Sequence, residues 1–361
     1  MFVDSLALEN FRNIKNASLS FGEGCNVLTG SNGQGKTNTV EAIYLALSGK
    51  SHRESVTANF IGPVSNRTTV ACTVTDSLNV TTLAAVSMDE TGKRHFIGGD
   101  AVKSRRELLS AYNVVFFTPE DLRIIQDSPA ARRTFMNDAI SSLYPRYAAL
   151  VSDYSTVLRQ RGFLLKDYGP SANSMMEVYD EQLVGIGSSI ITARLKFLKQ
   201  LSGAAKAKYG EISEKAEDIA FSYLTDIDVT SGELQESYRR ALEESRTADI
   251  SSASTRVGPH HDDMDITVSG RSARRFASRG QQRSVALAMK LALCDMTRSL
   301  RGEEPVVLLD DVMSELDVSR RSQAVKLFSG RQVFITTTEV CFDIPSDTRL
   351  FKAVSGEISP I

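Results

Sequence analysis

The sequence predicts an α/β protein in which both ends of the chain build one lobe and a mainly helical lobe is inserted between them. Three observations predict it. A glycine-rich stretch, "GSNGQGKT" (30–37), lies between an apolar β-run and an amphipathic helix near the start. A second apolar β-run, "PVVLLDD", ends in paired acids near the other end. Between them, from Pro129 to about Ser245, charged and apolar residues interleave at helical spacing with few β-rich runs. The expected segments are 1–110 and 256–361 for the shared lobe and 111–255 for the helical one.

Along the chain, "FVDSLALENF", "ASLSF" and "CNVLTG" alternate and read as short strands, with turns at Asn13 and at Gly22 to Gly24. Val40, Ile43, Tyr44 and Leu47 then recur at helical spacing. Thr68 to Ile97 reads as an antiparallel meander closed by Gly98, Gly99 and Asp100. "NVVFFTPEDL" is a buried strand followed by a helix start at Pro119, with Glu120 and Asp121 in the first turn. "YAALVSDYSTVLRQRGFLL" and "SIITARLKFLKQLSGAAKAKYGEISEKAEDIAF" read as long helices of a short antiparallel bundle, broken at Gly169 and Pro170. A hairpin is expected around Gly270, an amphipathic helix over "QQRSVALAMKLALCDMTRSL", a buried strand at "RQVFITTTE" and small strands in "RLFKAVSGEIS".

Composition narrows the classes. With 361 residues the chain is long enough for two or three domains. A net charge of -2 argues against an indiscriminately basic surface while leaving room for local positive patches. Four cysteines without CxxC spacing point to free thiols in a reducing compartment. The start lacks a basic n-region and a long apolar run, and no stretch has the length of a membrane span. A soluble cytoplasmic protein is expected.

The glycine-rich stretch fits G-x-x-x-x-G-K-[ST] at Gly30, Gly35, Lys36 and Thr37. Glycines let backbone amides turn inward around phosphate oxygens, and the following helix points its free N–H groups at the same anion. Lys36 can reach the β- and γ-phosphates, and the Thr37 hydroxyl can ligate Mg²⁺. Ser31, Asn32, Gly33 and Gln34 line the loop. Asp310, ending the second β-run, can hold Mg²⁺, and Asp311 can orient or deprotonate the attacking water. Four apolar residues leading into two carboxylates are costly unless positive charge sits nearby, which Mg·ATP would supply.

"FASRGQQRSVALAMK" offers a second anion-binding surface, with Ser278 and Gly280 at a helix start. Spacing leaves open whether it lies beside the first loop or faces it across a dimer. Basic clusters occur at 50–53, 103–106, 132–133 and 271–275. They can pair with nucleic-acid phosphates without reading sequence, and Arg53 and Arg105 are the leading candidates. His260 and His261 adjoin Asp262, Asp263 and Asp265, but no compact tetrahedral metal spacing completes them. A hydrolase nucleophile elbow is missing.

Taken together, "GSNGQGKT", "SRGQQR", "VVLLDD" and "SELD" resemble the ABC-type ATPase heads of the SMC/Rad50 group, and among these the RecF family of bacterial recombinational repair proteins. "ENFRNI", "GKSHR", "TPEDLRIIQDSPAARR", "VGPHHDD" and "VFITTTE" agree in order from Leu8 to the C-terminus. The resemblance implies an ABC-type (Rad50/SMC-like) P-loop head and carries roles onto matching positions. Lys36 and Thr37 fall on the Walker A lysine and the Mg²⁺ ligand, and Glu120 on the metal-sensing Q-loop position. Ser278, Gly280 and Gln281 fall in the signature that reaches the nucleotide of the opposite subunit. Asp310 matches the Walker B acid. Asp311 stands where many relatives have glutamate, and the shorter side chain fits slow hydrolysis. Ser314 to Asp317 match the D-loop, Thr336 to Thr338 the switch region, and Arg12 a nucleotide contact. The implied activity is a weak, DNA-stimulated ATPase with ATP and Mg²⁺, dimerising on ATP at double-stranded DNA and single-strand/double-strand junctions. The implied partners are RecR and RecO, which assist RecA loading. Two alternatives stand beside it: an ATP-gated scaffold with little hydrolysis, and a transporter motor subunit.

Overall fold

The computed structural model describes residues 1–167, 173–213, 217–315, 326–340, 342 and 345–361. Its strands are β1 (Phe2–Phe11), β2 (Ile14–Ser20), β3 (Cys25–Thr29), β4 (Arg67–Thr75), β5 (Thr81–Asp89), β6 (Gly92–Ile97), β7 (Asp100–Ala101), β8 (Val114–Phe117), β9 (Ile219–Leu224), β10 (Asp263–Val268), β11 (Arg271–Ser272), β12 (Val306–Asp310), β13 (Val333–Thr337), β14 (Arg349–Val354) and β15 (Glu357–Pro360). The helices are α1 (Lys36–Ser48), α2 (Arg105–Ala111), α3 (Arg123–Gln126), α4 (Pro129–Leu143), α5 (Arg146–Asp167), α6 (Asn173–Ile212), α7 (Leu234–Ser252), α8 (Ala273–Phe276) and α9 (Arg279–Arg301).

The chain divides into two compact units. The first comprises Met1–Leu122, Lys208–Glu214 and Arg283–Ile361. It holds an antiparallel sheet, β2-β1-β4-β5-β6-β7, and a second sheet ordered β15-β14-β3-β13-β12-β8. In the second sheet β14, β3, β13, β12 and β8 run parallel. Strands β12 and β13, in the middle of this sheet, are buried along their whole length rather than alternating, as strands covered on both faces are. Helix α1 packs against strands of both sheets, and ten of its thirteen residues are buried. Its Val40, Ile43 and Leu47 join Leu6 and Val70 of the antiparallel sheet and Leu308 and Phe334 of the parallel one in a single apolar core.

The second unit comprises Arg123–Ala207 and Lys215–Gln282. It contains α4, α5, α7 and most of α6, together with a three-stranded antiparallel sheet, β11-β10-β9. Its ion pairs include a buried one: Arg161, fully enclosed, lies 2.7 Å from both Asp180 and Asp249. Arg161 also donates to Thr255 at 2.8 Å.

Two expectations change. The long helix read through "AEDIAF" stops at Ile212, and Ile219 to Leu224 form β9, paired with all six residues of β10. The segment boundaries also move, from 110/111 and 255/256 to 122/123 and 282/283. Strand β8 belongs to the first unit because it completes the parallel sheet beside β12. The β10–β11 hairpin belongs to the second unit because its partner is β9. The break expected at Gly169 and Pro170 lies outside the described residues, as do Leu316 and Asp317 of the D-loop and Cys341. Cys25, Cys72 and Cys294 are buried free thiols. No helix among the described residues is long and apolar enough to cross a membrane.

Candidate functional site

Three parallel strands bring the first unit's chemistry to one edge. In the order β3-β13-β12, their C-terminal ends present the glycine-rich loop, Thr336 and Asp310 respectively. The C-terminal edge of a parallel sheet is where open α/β folds place their ligands, because loops splay apart there and helix N-termini converge.

The loop from Gly30 to Gly35 holds its shape through its carbonyls. Lys36 folds back so that Nζ donates to the carbonyls of Gly30 at 2.5 Å and Ser31 at 2.8 Å. Asn13 donates to the Gly33 carbonyl at 3.0 Å, and the Gly356 N–H to the Gln34 carbonyl at 3.1 Å. With these carbonyls bonded inward, the loop amides remain for an anion. Gly30 has φ 145° and Gly35 φ 111°, both in the region that favours glycine. A Cβ at Gly30 would also collide with the carbonyl of Ala353 on β14. Gln34, expected only to line the loop, is held by its side-chain oxygen, which accepts from the Ser355 N–H in the β14–β15 turn.

At the start of α1, Thr37 Oγ1 donates to Asp310 Oδ1 at 2.7 Å. Thr336 Oγ1 donates to the same oxygen at 2.7 Å and accepts the Asp311 N–H at 3.0 Å. Burial raises the Asp310 pKa, against the pull of the two hydroxyls and of Arg53. Burial lowers the Lys36 pKa, opposed by the charges of Asp311 and Asp310. The arrangement is a buried carboxylate and a hydroxyl side by side, with an ammonium nearby.

Beside it lies a cluster the sequence reading missed. Glu41, one and a half turns along α1 from Lys36, has a fully enclosed side chain. Arg12 Nη2 donates to it at 2.8 Å, with Nε 2.6 Å from the other oxygen. Arg53 Nη2 donates at 2.7 Å and Ser51 Oγ at 2.5 Å. Burial alone would raise the Glu41 pKa; hydrogen bonds from Arg53, Arg12 and Ser51 outweigh it and hold the carboxyl below its ordinary value. The available signal was a lone acid inside the apolar run "VEAIYLAL". Arg53 also donates to Asn38. Arg12 stacks over Phe60, 5.0 Å from the ring centre.

Glu120 is exposed on the Pro119–Leu122 turn, while its neighbour Asp121 pairs with Lys290 at 2.8 Å. Arg105 Nε donates to the Ser48 carbonyl at the end of α1, at 3.0 Å. In the second unit, Ser278 and Gln281 form a reciprocal cap on α9. The Ser278 N–H donates to Gln281 Oε1 at 2.7 Å, and the Gln281 N–H to Ser278 Oγ at 3.2 Å. The cap leaves the signature turn exposed at Ser278 and Arg279. His260 and His261 do not build a metal site: both direct Nε2 at the Thr255 carbonyl, and His260 Nδ1 meets the Tyr154 hydroxyl at 2.8 Å. No metal-binding cluster of His, Cys, Asp and Glu occurs among the described residues.

Comparison with known proteins bears on the family and the fold. The family described as "RecF/RecN/SMC N terminal domain" matches residues 2–342. The chain is 36% identical over 363 residues to the "DNA replication and repair protein RecF" of Clostridium tetani, covering 99% of both chains. It is also 36% identical to the protein so named in Streptococcus gordonii, covering 99% of this chain and 100% of the relative. Among solved structures, the "recombination mediator protein RecF-ATP in RecFOR pathway" superposes with a TM-score of 0.93 at 32% identity, covering 100% of this chain and 97% of that one. A Smc head bound to the C-winged helix domain of ScpA shares the fold, with a TM-score of 0.57 at 16% identity over 100% of this chain and 98% of that one. With a full-length match at this identity and a P-loop head of the same fold, the chain belongs to the RecF family.

Proposed function

We propose that this chain is an ATP-dependent DNA-binding protein of recombinational repair and replication-fork maintenance. On this reading it dimerises on ATP at double-stranded DNA and gap junctions, and it hydrolyses ATP slowly in the cytoplasm. It assists RecO- and RecR-mediated loading of RecA. The observation that carries the reading is the contact of Thr37 with Asp310 at the mouth of a glycine loop capped by Lys36.

The residues present fit Mg·ATP. A hydroxyl and a buried carboxylate 2.7 Å apart are hard oxygen donors of the kind Mg²⁺ takes alongside phosphate oxygens and water. Burial raises the Asp310 pKa, a desolvation cost that a bound cation would offset. When bound, Mg²⁺ would neutralise charge on the phosphates. Lys36 would exchange its two carbonyl partners for phosphate oxygens, and the loop amides would bind the rest of the chain of phosphates. Asp311 would orient the attacking water, with its backbone N–H fixed by Thr336 and its φ at 52°. Ser278 and Gly280 would close over the γ-phosphate held by a second copy, as the family resemblance of the signature turn implies.

The names of the relatives and of the solved structure support the repair and pathway assignment. Comparing DNA-stimulated ATP turnover with ATP-dependent capture of RecR tests it. Turnover raised by duplex DNA supports the reading. Capture of RecR without any turnover would favour the scaffold instead.

A further inference from the structure

In three of the basic clusters arginines are held within the protein, although Lys103 and Arg106 stay exposed. Arg53 is held by Glu41, and Arg105 by the Ser48 carbonyl. Arg132 pairs with Asp263 at 2.7 Å, and Arg133 donates to the carbonyls of His261 and Asp262. Their charge is spent on holding the fold together.

The cluster at 271–275 is different. Arg271, Arg274 and Arg275 are exposed, and their guanidinium groups make no hydrogen bond or ion pair among the described residues. The next residue, Phe276, is 66% exposed. A single exposed apolar side chain is ordinary; one that directly follows three unpaired arginines is a combination that fits a particular ligand chemistry. Arg274, Arg275 and Phe276 line a groove of about 320 Å³ with Arg132, Asp263 and Asp265. Arg132 pairs with Asp263, so Asp265 is the carboxylate left in the groove beside Arg274 and Arg275, and positive charge prevails.

The patch is also held rigidly. The β10–β11 turn, with Ser269 at φ 48° and Gly270 at φ 73°, delivers the chain directly into α8. Ala273 is fully buried, and its carbonyl accepts from the buried Gln282 Nε2 at 3.0 Å. Gln282 Oε1 in turn accepts from Gln126 Nε2 at 2.7 Å. The arginines and the ring are therefore presented from a fixed base.

Nucleic acid is the partner that offers phosphates and flat apolar faces together. In a continuous duplex every base face is covered by its neighbour. An unpaired base is available to an aromatic ring only in single strands or where a duplex ends in one. We propose that Arg271, Arg274, Arg275 and Phe276 form a DNA-contacting patch that grips phosphates and stacks on the exposed base at a single-strand/double-strand junction. The proposal rests on the DNA-binding reading above and gives it a location.

The test is fluorescence anisotropy with a blunt duplex and with a recessed-end duplex, at several salt concentrations, in the presence of Mg²⁺ and a non-hydrolysable ATP analogue. The full-length wild type is compared with Arg274→Gln/Arg275→Gln and with Phe276→Ala, and thermal melting verifies that each variant is folded. The double arginine variant should bind both DNAs more weakly and reduce the salt slope by about 2. Phe276→Ala should lose about tenfold in affinity for the recessed end and leave the blunt duplex unchanged. Wild-type binding that both variants retain overturns the patch and leaves the DNA-binding reading standing. Equal loss on both DNAs from Phe276→Ala overturns the junction assignment. Failure of the wild type to bind either DNA overturns the functional reading and the patch together.

Discussion

Thr37 Oγ1 and Asp310 Oδ1 lie 2.7 Å apart, although 273 positions separate them in the chain. The contact exists because β3 and β12 flank β13 in one parallel sheet, so the helix after β3 starts beside the end of β12. If this pair holds the metal, Thr37→Val should raise the Mg²⁺ concentration for half-maximal ATP turnover by about 10- to 100-fold. An unchanged Mg²⁺ titration would remove Thr37 from the site.

Glu41 should matter for stability as well as for the loop. Removing one partner of a buried ion pair costs about 3–5 kcal/mol, but Arg12 and Arg53 retain 18% and 35% of their side-chain exposure and can turn to water. Glu41→Ala is therefore expected to cost about 1–3 kcal/mol in urea unfolding, and Glu41→Gln less, because it keeps an acceptor. The Glu41 pKa is depressed in the folded state, so its stabilising effect is fully present at neutral pH. It is lost only as pH falls through the folded value, below the ordinary glutamate range. A Glu41→Ala stability loss that grew on acidification would contradict this.

Histidines act in a different pH window. Burial lowers His52, His95 and His260 from 6.5 to about 4. Between those values the unfolded chain binds more protons than the folded one, so stability rises with pH and falls on acidification from 6.5 towards 4. Each group contributes on the order of 1–3 kcal/mol across that range. Both ring nitrogens of His95 are buried without a hydrogen-bond partner, which makes it the cleanest probe. His95→Leu should flatten the dependence of the urea midpoint on pH between 4 and 6.5; an identical slope would show that His95 does not titrate there.

The hairpin of β14 and β15 should tune nucleotide affinity through Gln34. Gly356 has φ 83°, and a Cβ there would strike the Asn13 carbonyl, so Gly356→Ala displaces the turn that holds the loop. The strain amounts to about 1–3 kcal/mol, and ATP binding measured by calorimetry should weaken. Gly270→Ala, in the β10–β11 turn at φ 73° with open space around it, supplies the control for backbone strain alone. Equal effects of the two on ATP affinity would disconnect the hairpin from the loop.

Much of this site was legible because its signals are local. The spacing of Gly30, Gly35, Lys36 and Thr37, and the apolar run ending at Asp310, are each contained within a few residues. What long-range pairing decides was harder to read. "IAFSYL" alternates, yet it follows a long helical pattern, and only its pairing with β10 fixes it as a strand. Strand β8 belongs with β12, roughly two hundred residues later, and nothing near Val114 announces that. The clamp on Gln34 by Ser355 and the convergence of Arg12 and Arg53 on Glu41 are likewise products of tertiary packing.

The central claim is that ATP joins two copies, with the glycine loop of one facing the signature turn of the other. Molar mass by light scattering, with Mg·ATP, without nucleotide, and with the Lys36→Arg variant in Mg·ATP, tests it most directly. The account predicts a dimer only for the wild type with Mg·ATP. A monomer under all three conditions would contradict it.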